Sequence, residues 1–314
     1  MKLLIVRTSS MGDLVHMLPA ISDISRHVPG AQIDWVAEEA FAEIPSWHPA
    51  VHEVIPVAHR RWRKSWWSAE SRTGRQAVLK RLRAAEYDLV LDMQALLKSV
   101  WLVRAASGVK HGLDWRSARE PLSTLFYDVR HRVEFWQPAV PRQRKLAALA
   151  LGYQYEGEPD FGLQALCLPK DTVQPYAVIM PSASRDDKLW PEPDWQAVFD
   201  RLQGSGLALR LLAGNDDEHA RAQALIRGRD NATVQPKSAL HALSGLLSRA
   251  RIMVGLDSGL THLCAALGTD TIGIYKASTP VRTPLVGAGR TASLGDRGKA
   301  PDRTAVLAAL DEML

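Results

Sequence analysis

The segment IMVGLDSGLTHLCAAL, residues 252–267, breaks an apolar run with Asp257, Ser258 and Gly259 before a second apolar, helix-like run begins. Ser258 is a suitable N-cap, and Gly259 lacks the Cβ that would hold a phosphate away from the amides that follow. The pattern reads as an anion site at a helix start, although ligand-free turns use the same residues.

Other segments carry comparable chemistry. In SSMGD, residues 9–13, small side chains and one carboxylate stand where a helix begins; Asp13 either caps that helix or serves as a base, and Gly12 allows close approach to the backbone. In SASRDDKLWP, residues 182–191, Lys188 follows an apolar run closely enough to neutralise charge on a departing phosphate. Asp186 and Asp187 with no third ligand are weak evidence for a divalent metal, and the structural alternative is a helix-start loop closed by Pro191 with Trp190 and Trp195 in the core. AGNDDEH, residues 213–219, places Asp216, Asp217 and Glu218 in a first helical turn, as caps or as acceptors for ribose hydroxyls. His59, Arg60, Arg61, Arg63 and Lys64 surround Trp62, with Trp66 and Trp67 just beyond. Such interleaving suits nucleic acid, a phosphorylated lipid or a membrane surface, or else is a solvated basic loop.

These segments need elements that deliver them to one place. Short, often β-branched apolar runs occur at Leu3–Val6, Ile33–Val36, Val54–Val57, Leu89–Leu91, Ala177–Met180, Ala208–Leu212, Ile252–Leu256 and Thr271–Tyr275. Stretches of helical period lie between them at Pro19–His27, Gln76–Ala85, Trp195–Leu202 and Leu240–Ala250. Alternation of this kind predicts an α/β chain with parallel sheets covered on both faces, and such sheets bind ligands beyond the carboxyl ends of their strands. The polar segments follow those ends.

The pattern weakens between Leu151 and Pro175, where Gly, Pro and acidic residues collect. Two doubly wound parallel-sheet domains facing across a cleft are therefore expected, at residues 1–165 and 166–314, with a last helix from Asp302 free to pack on either.

With 314 residues, 46% apolar and 23% charged, the chain is expected to be globular. MKLLIVR is too short an apolar run for a secretory signal, and no run of about 18 uncharged apolar residues marks a transmembrane helix. Cys167 and Cys264 stand among apolar neighbours, which predicts packed thiols in a reducing, cytoplasmic setting. A GxGxxG after Val6, a GxxxxGK[ST] and a GxSxG are all missing, which disfavours a dinucleotide fold, a P-loop kinase and a serine hydrolase.

Taken together, RTSSMGD with HMLPA, IDWVAEE, IPSWH, VIPVAHRRWRK, GVKHGLDW with AREPL, RDDKLWP and GLDSGLTHL resemble the lipopolysaccharide heptosyltransferases of glycosyltransferase family 9, along nearly the whole chain. SSMGD places it with the type I branch. The resemblance implies a GT-B fold of two Rossmann-like domains, acceptor on the N-terminal side and donor on the C-terminal side. It implies inverting, metal-independent transfer of L-glycero-D-manno-heptose from ADP-heptose to the first Kdo of Kdo2-lipid A, with no cofactor beyond that donor. The enzyme would then work on the cytoplasmic face of the inner membrane, with room for peripheral contact.

By the same resemblance, Asp13 is the general base and Lys188 a cation on the diphosphate. Glu218 holds the ribose, while Ser184, Asp257, Ser258, Gly259 and His262 belong to the donor side. Ala183 replaces a family hydroxyl, so no side-chain contact is carried over to it. Ser10, Gly12, Arg60, Arg61, Arg63, Lys64, Lys98 and Arg119 fall to the acceptor. One carboxylate suffices, because inversion is a single displacement. The alternatives are another GT-B nucleotide-sugar enzyme, of heptosyltransferase II or sugar epimerase type, and, from a different class, a nucleic-acid-binding protein using residues 59–64. One basic patch explains four polar loops at strand ends poorly, so no nucleic-acid partner is expected.

Overall fold

The computed structural model describes residues 1–182 and 186–314, and the chain divides into two compact units, Met1–Gly162 and Leu163–Leu314. Each unit is a six-stranded, wholly parallel sheet with helices packed on it.

In the first unit, strands β1 (Lys2–Val6), β2 (Gln32–Glu38), β3 (Val51–Val57), β4 (Leu89–Asp92), β5 (Val109–Leu113) and β6 (Val129–His131) run in the order β3-β2-β1-β4-β5-β6. The central strand β1 is continuously apolar because helices cover both faces, and Leu4, Ile5 and Val6 are fully buried. Each such side chain contributes roughly 1.5–3 kcal/mol. The helices are α1 (Met11–His27), α2 (Glu43–Ser46), α3 (His59–Lys64), α4 (Ala69–Ala84), α5 (Leu97–Ala105) and α6 (Ala139–Leu151). A buried ion pair, Arg144 Nε to Asp23 Oδ2 at 2.6 Å, fastens α6 to α1, and Arg144 also donates to the Glu156 and Gly157 carbonyls. With its donors met by those carbonyls, the buried guanidinium is compensated rather than stranded.

In the second unit, β7 (Tyr176–Met180), β8 (Ala208–Leu211), β9 (Ala232–Val234), β10 (Ile252–Leu256), β11 (Asp270–Tyr275) and β12 (Thr291–Gly295) run β12-β11-β10-β7-β8-β9. Counted from its own first strand, this is the same doubly wound order as in the first unit. Its helices are α7 (Glu192–Gly204), α8 (Asp216–Leu225), α9 (Leu240–Arg249), α10 (Gly259–Ala266) and α11 (Arg303–Met313). Asp302 caps α11 through the Ala305 amide at 2.8 Å, and Val306 and Leu310 of that helix join the core of this unit. Trp190 and Trp195 meet edge to face, with ring centroids 5.2 Å apart, in the same core.

Several sequence expectations need correction. The first helix runs from Met11, at the start that SSMGD suggested, and carries Pro19 inside it, so the stretch of helical period at Pro19–His27 is only its later part. Residues 59–64 form a short helix pinned by buried Trp62, so the basic segment is not a loop. Cys167 is an exposed thiol rather than a packed one, because the segment after the unit boundary runs over the surface; Cys264 is buried, and both are free. Strands β5, β6, β9 and β12 escaped the apolar-run criterion: they lie toward the sheet edges and carry polar residues.

Candidate active site

In a doubly wound sheet, the crevice that takes a ligand opens where the strand order reverses, here between β1 and β4 and again between β7 and β10. The chemically loaded segments fall at these two points. Residues 7–13 follow β1 and residues 93–98 follow β4; residues 257–262 follow β10, and Lys188 lies beyond the end of β7.

At the first point, Asp13 occupies the first turn of α1. Its Oδ2 accepts from the Ser10 amide at 2.7 Å and the Ser10 hydroxyl at 3.0 Å, and its Oδ1 pairs with Arg7 Nη2 at 2.6 Å. The capping reading is thus fulfilled, yet a third of the Asp13 side chain, 33%, stays open to solvent. Burial pulls this carboxyl upward, but Arg7, the Ser10 donors and His16 outweigh it and hold it below the ordinary carboxylate range. At neutral pH it is an ionised group with exposed surface, which can accept a proton.

The loop ahead of Asp13 is fixed from across the crevice. Gln94 Oε1 accepts from the Thr8 and Ser9 amides at 2.9 and 3.2 Å, and its Nε2 returns a bond to the Ser9 carbonyl at 3.1 Å. Gln94 is oriented in turn by Asp92, whose Oδ1 accepts its amide at 2.8 Å; Tyr127 and Ser99 satisfy the other oxygen. Arg7 donates to the Met93 carbonyl as well as to Asp13, tying both sides of the crevice together.

Lys98 reaches the same loop through Ser9 Oγ at 2.6 Å. Burial and then the Arg7 charge lower its affinity for a proton. Glu38, buried at the end of β2, accepts the Arg60 amide at 3.0 Å and so holds the start of α3; burial raises its carboxyl. The cations of α3 divide. Arg61 is engaged by Glu39 and Glu70, and Arg60 lies over the Phe41 ring at 4.7 Å. Arg63 and Lys64 point from the exposed face, as does Arg119 in the connection after β5. Ser10 and Gly12 flank Asp13 at the start of α1.

At the second point, Asp257 is a hub. Its Oδ1 meets His262 Nε2 at 3.1 Å; its Oδ2 receives Lys188 Nζ at 3.0 Å and the Ser278 hydroxyl at 2.5 Å. Lys188 also donates to the Asp257 carbonyl at 3.0 Å. Burial opposes ionisation, but His262, Ser278 and Lys188 together hold the carboxyl well below its usual range. Ser258 caps α10, its Oγ accepting from the Thr261 amide at 3.3 Å, so this helix start keeps amide donors and the positive end of its dipole beside the lysine. Glycine is required at 255, because a Cβ there would stand 2.8 Å from Thr261 Oγ1 and 2.9 Å from Met180 Cβ. Gly259 is the first residue of α10.

Glu218 closes a cap of its own at α8: it accepts from the Gly214 amide at 2.8 Å and from Asn215 Nδ2 at 3.0 Å, and Asn215 Oδ1 accepts the Glu218 amide at 2.9 Å. Two acceptor positions of its carboxylate remain for a ligand hydroxyl. Ser184, expected at the donor, and Ala183 lie outside the described residues. Among the described residues no group of three or more His, Cys, Asp or Glu converges as metal ligands.

Sequence reading missed Arg7, Asp92, Gln94, Glu38 and Ser278. Arg7 was legible as the first residue past an apolar strand; the others take their meaning from strands that neighbour one another only in the folded sheet.

Comparison with known proteins identifies the family. The family model for glycosyltransferase family 9 (heptosyltransferase) matches residues 75–309. Lipopolysaccharide heptosyltransferase 1 of Escherichia coli (strain K12) is 46% identical over 285 residues, covering 89% of this chain and 89% of the relative. The structure of E. coli heptosyltransferase WaaC with ADP superposes with a TM-score of 0.92 at 40% identity, with both chains fully covered (100% each). WaaC with ADP-2-deoxy-2-fluoro heptose gives 0.89 at the same 40%, again over 100% of both chains. The α/β, GT-B type fold with its two parallel six-stranded sheets is therefore the one the sequence led us to expect. The chain belongs to glycosyltransferase family 9, the heptosyltransferases.

Proposed function

We propose that this glycosyltransferase moves L-glycero-D-manno-heptose from ADP-heptose to the first Kdo of Kdo2-lipid A, with inversion and without a metal or other cofactor. The observation that carries the mechanism is Asp13: an ionised, partly exposed carboxylate at a strand-order reversal, locked in place by Arg7 and Ser10. In the proposed step the acceptor hydroxyl oxygen attacks the anomeric carbon as the bond to the ADP oxygen breaks. Asp13 takes the hydroxyl proton, and the electron pair of the broken bond leaves with ADP.

Charge on the departing diphosphate is met by Lys188 and by the amides at the start of α10, from Ser258 and Gly259 onward. Asp257 and His262 act by holding Lys188 and the loop, and Glu218 takes the ribose through its two unused acceptor positions. Ser184 completes the donor side. The acceptor's carboxylates and phosphates are met by Arg63 and Lys64, with Arg60, Arg61, Lys98, Arg119, Ser10 and Gly12 around them. An acceptor that is itself a lipid brings the reaction to the cytoplasmic face of the inner membrane, although no helix among the described residues is long and apolar enough to cross a membrane.

The test is direct: purified protein is mixed with ADP-heptose and Kdo2-lipid A under a divalent-metal chelator, and the product is read by mass spectrometry. One added heptose with inverted anomeric configuration is expected. No transfer to this acceptor, or transfer lost under chelation and restored by a metal, would overturn the corresponding part of the reading.

A further inference from the structure

All six strands of the first unit are parallel, so the connections that follow β3, β4, β5 and β6 leave from one edge of the sheet. The tryptophans of the chain that are exposed among the described residues all stand in those connections: Trp66 at 47% and Trp67 at 82% after β3, Trp115 at 55% after β5, and Trp136 at 60% after β6. Leu97, at the start of α5 after β4, and Leu122, after β5, are exposed on the same connections. The large exposed apolar residues of the second unit, by contrast, are Leu168, Val173 and Val281, with no aromatic among them.

Cations accompany these rings. Arg60, Arg61, Arg63 and Lys64 precede Trp66, Arg116 follows Trp115, and Arg119 and Arg132 stand in the later connections, all exposed. Arg75 stacks on the Trp66 ring at 3.8 Å and donates to its carbonyl at 3.0 Å, holding that residue at the end of the basic helix. A rim that pairs amphipathic indoles with exposed guanidinium and ammonium groups matches the headgroup layer of an anionic bilayer, where rings lie at the apolar boundary and cations meet phosphate. Solvated cations alone would not call for tryptophans.

We propose that this rim of the first unit, centred on Trp66, Trp67, Trp115 and Trp136, is the surface by which the protein docks on an anionic phospholipid bilayer. The inference rests on the reading of the acceptor as a membrane lipid and goes beyond it by naming the docking tryptophans, none of which is assigned to the acceptor, whereas Arg60, Arg61, Arg63, Lys64 and Arg119 would serve both.

The experiment uses vesicles of phosphatidylethanolamine and phosphatidylglycerol that contain no acceptor. The full chain is expected to sediment with them and to do so at least about tenfold less with phosphatidylcholine vesicles or in high salt. Combined Trp67→Ser, Trp115→Ser and Trp136→Ser should lower binding to the anionic vesicles by at least about tenfold, and Trp67→Ala alone should lower it detectably. The single variant alters the most exposed of the four rings and guards against a folding effect in the triple one. Failure of the unaltered chain to bind anionic vesicles, or undiminished binding by both variants, would overturn the proposal. A salt-insensitive dimer in solution that the triple variant dissolves would give the rim to a second copy, and would equally overturn it. Heptose transfer separates this result from the functional reading: the triple variant should keep transfer to a deacylated, water-soluble acceptor and lose it to acceptor embedded in vesicles. If the unaltered chain transfers heptose to neither, the acceptor assignment fails while the vesicle measurement still decides the docking surface.

Discussion

Asp13 and Asp257 both flank a strand-order reversal, one in each unit, and both ionise more readily than an ordinary aspartate, yet their surroundings differ and the proposed mechanism gives them different work. Asp257 is 13% exposed and both its oxygens are occupied, by His262 on one side and by Lys188 and Ser278 on the other. Asp13 shares its charge with Arg7 and Ser10 and keeps 33% of its side chain open. A lowered pKa therefore does not by itself identify a base. In the proposed mechanism, residual exposure separates the carboxylate that takes a proton from the one that holds a lysine and a histidine in position.

The largest effect should come from Asp13→Ala. Turnover is expected to fall at least about a hundredfold, the lower bound for losing a general base, with ADP-heptose affinity nearly unchanged by calorimetry. Near-normal turnover would erase the distinction between the two aspartates. Asp257→Ala should act on the other side: it strips the charged partner from Lys188 and His262, so donor Kd is expected to rise roughly ten- to a hundredfold, with a smaller change in the acceptor KM. A loss confined to kcat, with donor affinity intact, would make Asp257 a participant in the proton chemistry instead.

Weaker still should be the combined Arg63→Ser and Lys64→Ser change, expected to raise the apparent acceptor KM several-fold and more than that of the donor. Arg61→Ser should instead loosen α3, since its guanidinium already serves Glu39 and Glu70. Equal effects on donor and acceptor in steady-state kinetics would remove the basic helix from the acceptor side.

The smallest effect on chemistry, though not on stability, concerns His48. Its Nδ1 accepts the Ala50 amide at 3.2 Å and its Nε2 faces Ser22 Oγ at 2.8 Å, an arrangement for a neutral ring, and burial lowers its pKa from 6.5 to about 4. The unfolded chain takes up that proton near the ordinary value while the folded chain resists, so stability should fall as pH drops from 6.5 toward 4 and level off below. The full amplitude is on the order of 3 kcal/mol, about 2 of it between pH 7 and pH 5. His48→Gln should flatten that slope in urea denaturation at pH 7 and pH 5, and an unchanged slope would show that the ring takes up its proton in the fold near the ordinary value. His59, likewise lowered to about 4 by burial and then by Lys98, should behave in the same way.

The central elements were legible because their signals are local. The run Ile252–Leu256 is a strand with the bounds its apolar residues suggest, and Ser258 caps α10 as its position before Gly259 led one to expect. Lys188 and Asp257 were each picked out as polar residues after a strand, but nothing in either segment discloses that they bond to one another across 69 positions. The basic segment misled for a related reason: Trp62 is set among arginines in sequence, and its burial against Trp101, with ring centroids 6.4 Å apart, appears only when α3 meets α5.

What the sequence determined by itself was therefore the inventory: apolar runs that must be strands, caps that must start helices, and the charged groups placed just beyond them. These depend on residues within one or two turns of each other, so composition and spacing suffice. The tertiary structure decided the pairings: Arg7 with Asp13 and Met93, Gln94 with the Ser9 loop, and Ser278 and Lys188 with Asp257. Those follow from which strands lie side by side, and strand order is set by packing the whole sheet rather than by any one segment of it.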